Sequence, residues 1–196
     1  NMSLLIDGAP TTVDIDGKPY CINTDFRVAI LFEQLMQEPN LSDGQKISQA
    51  LTLYFPEIPH NISIAIDKLV WFYRCGKETH AQHGTTNAAP VYSLEQDGEY
   101  IYAAFLKDYG IDLEAQTLHW WKFEALISSL NSDNLFCKII EWRSADTKKL
   151  KGEQRAFYLK MKRLYALKHP QINSSADDAL ANALQNGDDV SKYLKA

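Results

Sequence analysis

The chain lacks the residue patterns by which most enzymes can be recognised. Its 196 residues contain no glycine-rich phosphate loop, no His-Glu-x-x-His pair, no Gly-x-Ser-x-Gly elbow and no zinc-finger ligand spacing. No catalytic residue, cofactor site or enzymatic activity is therefore expected. Cysteine is scarce: Cys21, Cys75 and Cys137 are odd in number, widely spaced and form no C-x-x-C pair. That excludes a disulfide framework and leaves reduced thiols. No stretch approaches the roughly 20 consecutive apolar residues that a spanning helix needs, and no basic-then-apolar leader opens the chain. No membrane association is expected, and the cytoplasm is the expected location. Translation is expected to start at Met2, so Asn1 is left out of the reading.

The remaining composition is that of a globular protein, with 45% hydrophobic and 23% charged residues. Two groups of polar residues suggest chemistry and fall short of it. Cys75, His80 and His83 lie near one another, but a structural zinc takes four ligands and the segment GKETHAQHGTTNAAP supplies no fourth. Glu95, Asp97 and Glu99 form an acidic cluster of the kind used in acid–base work. Carboxylates also favour helix N-termini through the macrodipole, and this accounts for the cluster without catalysis.

Charge is strongly segregated. Residues 1–137 carry 8 Lys and Arg against 18 Asp and Glu, residues 138–168 carry 10 against 3, and residues 169–196 carry 2 against 4. An acidic body is thus followed by a basic segment of net charge +7. Such segregation serves nucleic-acid binding, contact with an acidic partner or head-to-tail association of identical subunits, and it also describes a merely solvated basic face.

The pattern predicts a mainly α-helical protein of about seven helices with a small N-terminal β-hairpin. Val13 and Ile15 alternate with polar residues, Asp16-Gly17 is a turn pair, and Tyr20 and Ile22 alternate after it. Leu4 to Ile6 reads as a third short strand. A lone hairpin is marginal in water, so it must pack on helices or pair with another edge. Helices are expected from Asp25 to Met36, with Phe26, Ile30, Leu31 and Leu35 inward, and from a Ser42/Gln45 capping box to Tyr54. A third runs from an Asn61 cap to a stop at Gly76. A Ser93/Gln96 box opens a fourth that ends at Gly110, where Gly98 implies close approach of another backbone. Thr117 caps a fifth, in which Trp120, Phe123, Leu126, Ile127 and Leu130 face inward while Trp121 and Glu124 point elsewhere. Residues 135–142 form a sixth, and the last runs from Gly152 to about Leu167 with Phe157, Met161, Leu164 and Tyr165 on its apolar side. Residues 2–76 and 91–168 are expected to pack as one domain joined by a flexible loop, 77–90, with 169–196 a mobile polar tail.

The candidate interaction residues follow from this layout. Trp120, Trp121 and Trp142 lie close in sequence to the basic residues Lys148, Lys149, Lys151, Arg155, Lys160, Lys162 and Arg163. Aromatics beside cations are used by single-strand binders as stacking platforms, but they also serve as core anchors or contacts for a partner helix. Without an RNA-binding or helix-turn-helix signature, core or interface is the favoured role, and nucleic acid is the alternative.

The blocks EQDGEYIYAAFLKDYGIDL, LHWWKFEALISSL and KIIEWRSADTKKLKGEQRAFYLKMKRLYAL resemble the bacteriophage family labelled gene product fifteen. Trp71-Phe72-Tyr73 with Cys75-Gly76-Lys77 and, more weakly, Asp25-Phe26-Arg27 extend the likeness over nearly the whole chain up to Leu167. The family occurs in tailed phages and prophages of Gram-positive bacteria, encoded beside tail tube and tape measure genes. The resemblance implies a tail assembly chaperone that binds the tape measure protein, and also the tail tube protein, in the host bacterial cytoplasm and is absent from the mature virion. It implies no enzymatic activity and no cofactor. Self-association as a homo-oligomer is expected from the opposite charges of body and late segment. The competing expectation is a nucleic-acid-binding phage regulator that uses the basic segment.

Overall fold

A computed structural model describes residues 4–77 and 91–168. They cluster into two compact units, one comprising residues 4–77 and 117–124 and the other 91–116 and 125–168. The described residues hold seven helices and one two-stranded antiparallel sheet, as the periodicity predicts.

In the first unit, β1 (Thr12–Ile15) pairs with β2 (Lys18–Cys21), with Val13 opposite Tyr20. Asp16 and Gly17 both have positive φ, 53° and 77°, which is what a two-residue turn of this hand requires. Val13, Ile15, Tyr20 and Ile22 are buried, and β1 packs on α3 (Ile62–Tyr73). The hairpin therefore finds its cover within the unit. Leu4 to Ile6 form a turn instead of a third strand, with Leu5 and Ile6 exposed.

Helix α1 (Phe26–Gln37) starts where the Asp25 side chain accepts from the Arg27 backbone N–H at 2.9 Å. Its buried residues are Phe26, Val28, Ala29, Phe32, Leu35 and Met36, while Leu31 is exposed, contrary to the sequence expectation. Helix α2 (Asp43–Tyr54) has the predicted Ser42/Gln45 capping box. Lys46 on α2 is buried, and its Nζ donates to the Met36 carbonyl at 3.0 Å. A cation thus meets one of the last carbonyls of α1, which have no helical N–H partners and carry the negative end of the dipole.

The second unit contains α4 (Gly98–Tyr109), α6 (Leu135–Ser144) and α7 (Gly152–Leu164), with α6 packed on both others. The remaining helix, α5 (Trp120–Ile127), belongs to the first unit as far as Glu124. Several predicted boundaries shift. Ser93 accepts from the Gln96 N–H, but the Gln96 side chain bonds the backbone of Lys168 instead of closing a box, and α4 begins only at Gly98. A Cβ at Gly98 would meet nothing within 4 Å, so no backbone crosses there; the glycine simply opens the helix. Helix α5 begins at Trp120, not after Thr117, because the chain before it bridges to Asp25: Phe26 N–H donates to the Leu118 carbonyl and Trp120 N–H to the Thr24 carbonyl. The expectations for residues 78–90 and 169–196, including the pairing of His80 and His83 with Cys75, fall outside the described residues.

Candidate functional site

The tandem tryptophans are structural. Trp120 is 3% exposed and Trp121 5%, so both lie in the core of the first unit and neither forms the partner surface expected of them; Trp121 does not point away. Their indole N–H groups donate to the Tyr73 and Phe72 carbonyls at 2.7 and 2.8 Å. These belong to the last turn of α3, where carbonyls lie beyond the regular helical ladder; the Phe72 carbonyl also accepts from the Cys75 N–H at 3.0 Å. Gly76, with φ 69°, completes that end by donating to the Trp71 carbonyl at 2.9 Å. A Cβ on it would come within 2.9 Å of the Trp121 ring. The blocks WFYRCG and HWWKF are therefore two halves of one helix terminus, reinforced by ring stacking of Tyr73 on Trp120 and of Phe26 on Phe123.

Beside this terminus lies a cluster of ionisable groups that sequence reasoning did not identify. Tyr73 donates its hydroxyl to Glu33 Oε1 at 2.7 Å. Burial holds the Glu33 carboxyl at a pKa of about 7, opposed by the Tyr73 hydrogen bond and reinforced by the charge of Glu124. Burial also raises Glu124 and pushes the Cys75 thiol up to about 12. A thiol raised in this way is a poor nucleophile. The Tyr54 hydroxyl is fully buried without a hydrogen-bond partner among the described residues. No group of three His, Cys, Asp or Glu among the described residues could hold a metal ion. The sign in the sequence was Glu33 itself, the one carboxylate of α1, directly after Phe32.

In the second unit the organising residue is Arg143 on α6, which sequence analysis also passed over. Its guanidinium grips Asp97 through two bonds, Nη1 to Oδ2 at 2.6 Å and Nη2 to Oδ1 at 2.8 Å. It also donates to the Val91 carbonyl at 3.1 Å and, through Nε, to the Tyr165 carbonyl at 2.6 Å. Asp97 is buried and accepts from Ser93 N–H as well, so its place in the acidic cluster is explained by this pairing; Glu95 and Glu99 are exposed. One side chain thus ties the entry to α4 and the end of α7 to α6.

Helix α7 has no buried residue at all. Tyr158, Met161, Lys162 and Tyr165 are half-buried, at the spacing of a single helix face. Trp142 stacks on Tyr165 and meets Phe157 edge-on, Tyr158 donates to Glu141 at 2.5 Å, and Lys162 donates to the Ala145 carbonyl at 3.1 Å. Phe157 and Leu164, expected on the packed side, are 48% and 64% exposed, and Leu159 is 46% exposed. The predicted apolar side is therefore right in part: Met161 and Tyr165 turn inward, Phe157 touches Trp142 with one edge and leaves the rest exposed, and Leu164 turns outward. Lys151, Arg155, Lys160 and Arg163 are exposed and make no side-chain hydrogen bond or ion pair among the described residues. Lys148 is exposed as well, and Lys149 pairs with Asp146 at 3.5 Å. A hollow of about 560 Å³ on this face is lined by Ala156, Leu159, Lys160, Lys162 and Arg163.

Of the ten residues singled out by sequence, the structure thus places the basic ones on or just before α7 and Trp142 beneath it, and removes Trp120 and Trp121 to the other unit's core. The outward side of α7 combines exposed apolar side chains with cations that have no partner among the described residues. No described helix is long and apolar enough to cross a membrane. Neither a curated protein nor a solved structure matches the chain. Residues 5–167, which include every element above, match the model of the family described as Bacteriophage Gp15 protein, and the chain belongs to that family.

Proposed function

We propose that the protein is a non-enzymatic tail assembly chaperone that binds the tape measure protein in the host cytoplasm, assists tail tube assembly and is left out of the finished virion. The observation that carries this reading is the outward face of α7, where Phe157, Leu159 and Leu164 are exposed beside unpaired cations. A helix left uncovered on that side is completed by a partner. A tape measure protein is long and helical and exposes apolar stripes until the tube encloses it, so a removable cover protects it from aggregation. Several copies along one rod add avidity to weak single contacts, and the opposite charges of body and late segment favour association between copies. Co-expression with the neighbouring tape measure and tube proteins tests the proposal. A soluble complex is the expected result, and the absence of both a complex and a gain in solubility across a range of salt would overturn it. Light scattering at low salt tests self-association, which a strict monomer at high concentration would exclude.

A nucleic-acid-binding role is the less supported alternative. Trp120 and Trp121 are core residues and offer no stacking platform, and large apolar side chains interrupt the cations of α7. Phosphate binding through this helix would weaken steeply with salt, so a flat salt response eliminates it.

A further inference from the structure

We infer that the outward face of α7 is built for one kind of partner, an amphipathic helix from another protein whose apolar residues are flanked by carboxylates. This rests on the chaperone reading and narrows it to a surface and a partner chemistry.

The geometry begins with the packed stripe. Tyr158, Met161, Lys162 and Tyr165 face α6, Phe157 sits at the rim of that contact with one edge against Trp142 and 48% of its surface exposed, and Ala156, Leu159, Lys160, Arg163 and Leu164 lie outward. Phe157 and Leu164 stand two turns apart on one flank with Lys160 between them. Ala156, Leu159 and Arg163 occupy the other flank, and the small side chain of Ala156 opens the hollow that Leu159, Lys160 and Arg163 help to line. Apolar knobs separated by a hollow are the surface that a second helix packs against, ridge into groove. Lys151, Arg155, Lys160 and Arg163 frame this face, while Glu153 in the first turn is the only carboxylate on the helix. A partner that seats an apolar side chain beside Ala156 brings its own neighbouring positions against those cations. Carboxylates at these positions form ion pairs, whereas lysines meet like charge.

The partner helix is assigned to a different chain because, among the described residues, a second copy offers no matching stripe. The exposed large apolar residues on the other described helices are Leu31 on α1, Leu106 on α4 and Leu135 on α6, one on each. Nucleic acid matches the cations but leaves Phe157, Leu159 and Leu164 in water.

The test uses the full chain and three labelled helical peptides with identical apolar residues, flanked by Glu, Gln or Lys, read by fluorescence anisotropy. The Glu peptide is expected to bind roughly tenfold more tightly than the Gln peptide at low salt, with the difference shrinking as salt rises. The double variant Lys160→Glu with Arg163→Glu should reverse the order of the Glu and Lys peptides, and Ala156→Leu should weaken all three by filling the hollow. None of these three residues is buried, and neither cation has a partner among the described residues, so the variants should fold like the parent. Equal affinity for the three peptides, or a preference unchanged by charge reversal, overturns the inference. So does binding of no peptide, whether light scattering then shows oligomers lost in the double variant or duplex DNA proves to bind instead. Co-expression separates this inference from the broader reading. A tape measure complex that survives both α7 variants retains the chaperone and overturns this surface, while selective peptide binding with no tape measure complex retains the surface and overturns the chaperone.

Discussion

Glu33 should make the first unit less stable as pH rises through neutrality. Its carboxyl is held at about 7 in the folded protein against an ordinary 4.5, because burial disfavours the charged form. The folded state therefore binds more protons than the unfolded state between those two values, and stability from this group is fully present below about pH 4.5 and lost as pH climbs through about 7. At about 1.4 kcal/mol per pH unit, the difference between the limits is at most about 3 kcal/mol. Glu33→Gln removes the charge yet keeps an oxygen to accept from the Tyr73 hydroxyl. The variant should gain up to about 3 kcal/mol over the parent at pH 8 and only about a quarter of that at pH 5. His119 works in the opposite direction: burial lowers its pKa, so its contribution is present at higher pH and lost on acidification. Burial raises Glu124 with the same sign as Glu33. The comparison of parent with variant at each pH removes the contribution of His119 and much of that of Glu124. Urea unfolding followed by tryptophan fluorescence provides the measurement. A parent–variant difference that is the same at pH 5 and pH 8 would refute the reasoning.

Other substitutions test the remaining contacts. Arg143→Met strands the buried Asp97 carboxylate and should cost the second unit about 3–5 kcal/mol, whereas adding Asp97→Leu should restore most of the loss; calorimetry that finds the double variant no better than the single would show that the pair is not the cause. Gly76→Ala places a Cβ 2.9 Å from the Trp121 ring at a positive φ and should lower stability by about 1–3 kcal/mol. Gly44→Ala in α2, where nothing lies within 4 Å, should raise it by about 0.5–1 kcal/mol, and thermal melts in which the two move in the same direction would contradict this assignment. Trp121→Phe removes both the indole donor to the Phe72 carbonyl, which keeps the Cys75 N–H, and part of a buried ring system, at a cost of about 1–3 kcal/mol; an unchanged denaturation midpoint would show that neither the bond nor the packing contributes.

Much of the local structure was legible because it depends on neighbours in the chain. The Asp16-Gly17 turn, the Ser42 capping box and the Gly110 stop are decided within a few residues by backbone torsion and a nearby side chain. Helix number and type followed from apolar periodicity for the same reason. Helix starts were misread where a distant segment supplied the bonds: Gln96 reaches Lys168 in place of its own cap, and the residues before Trp120 pair with Asp25.

The candidate site was legible only in part. Charge counting isolated the basic segment, since net charge is a property of composition. It could not show which apolar residues of α7 lie inward, because Met161 and Leu164 both suit an apolar stripe and only the packing of α7 on α6 separates them.

By itself, the sequence determined a mainly helical phage protein with a hairpin and a segregated basic segment, since periodicity, turn chemistry, charge and family motifs are all carried by the order of residues. Only the tertiary structure decided that Trp120 and Trp121 close the end of α3, that Arg143 and Asp97 lock α4, α6 and α7, and that Glu33 is held near neutrality. Those outcomes depend on groups 46 to 49 positions apart in the chain, or on the burial they produce together, and the desolvation of a carboxyl or a carbonyl has no value until packing has excluded the water.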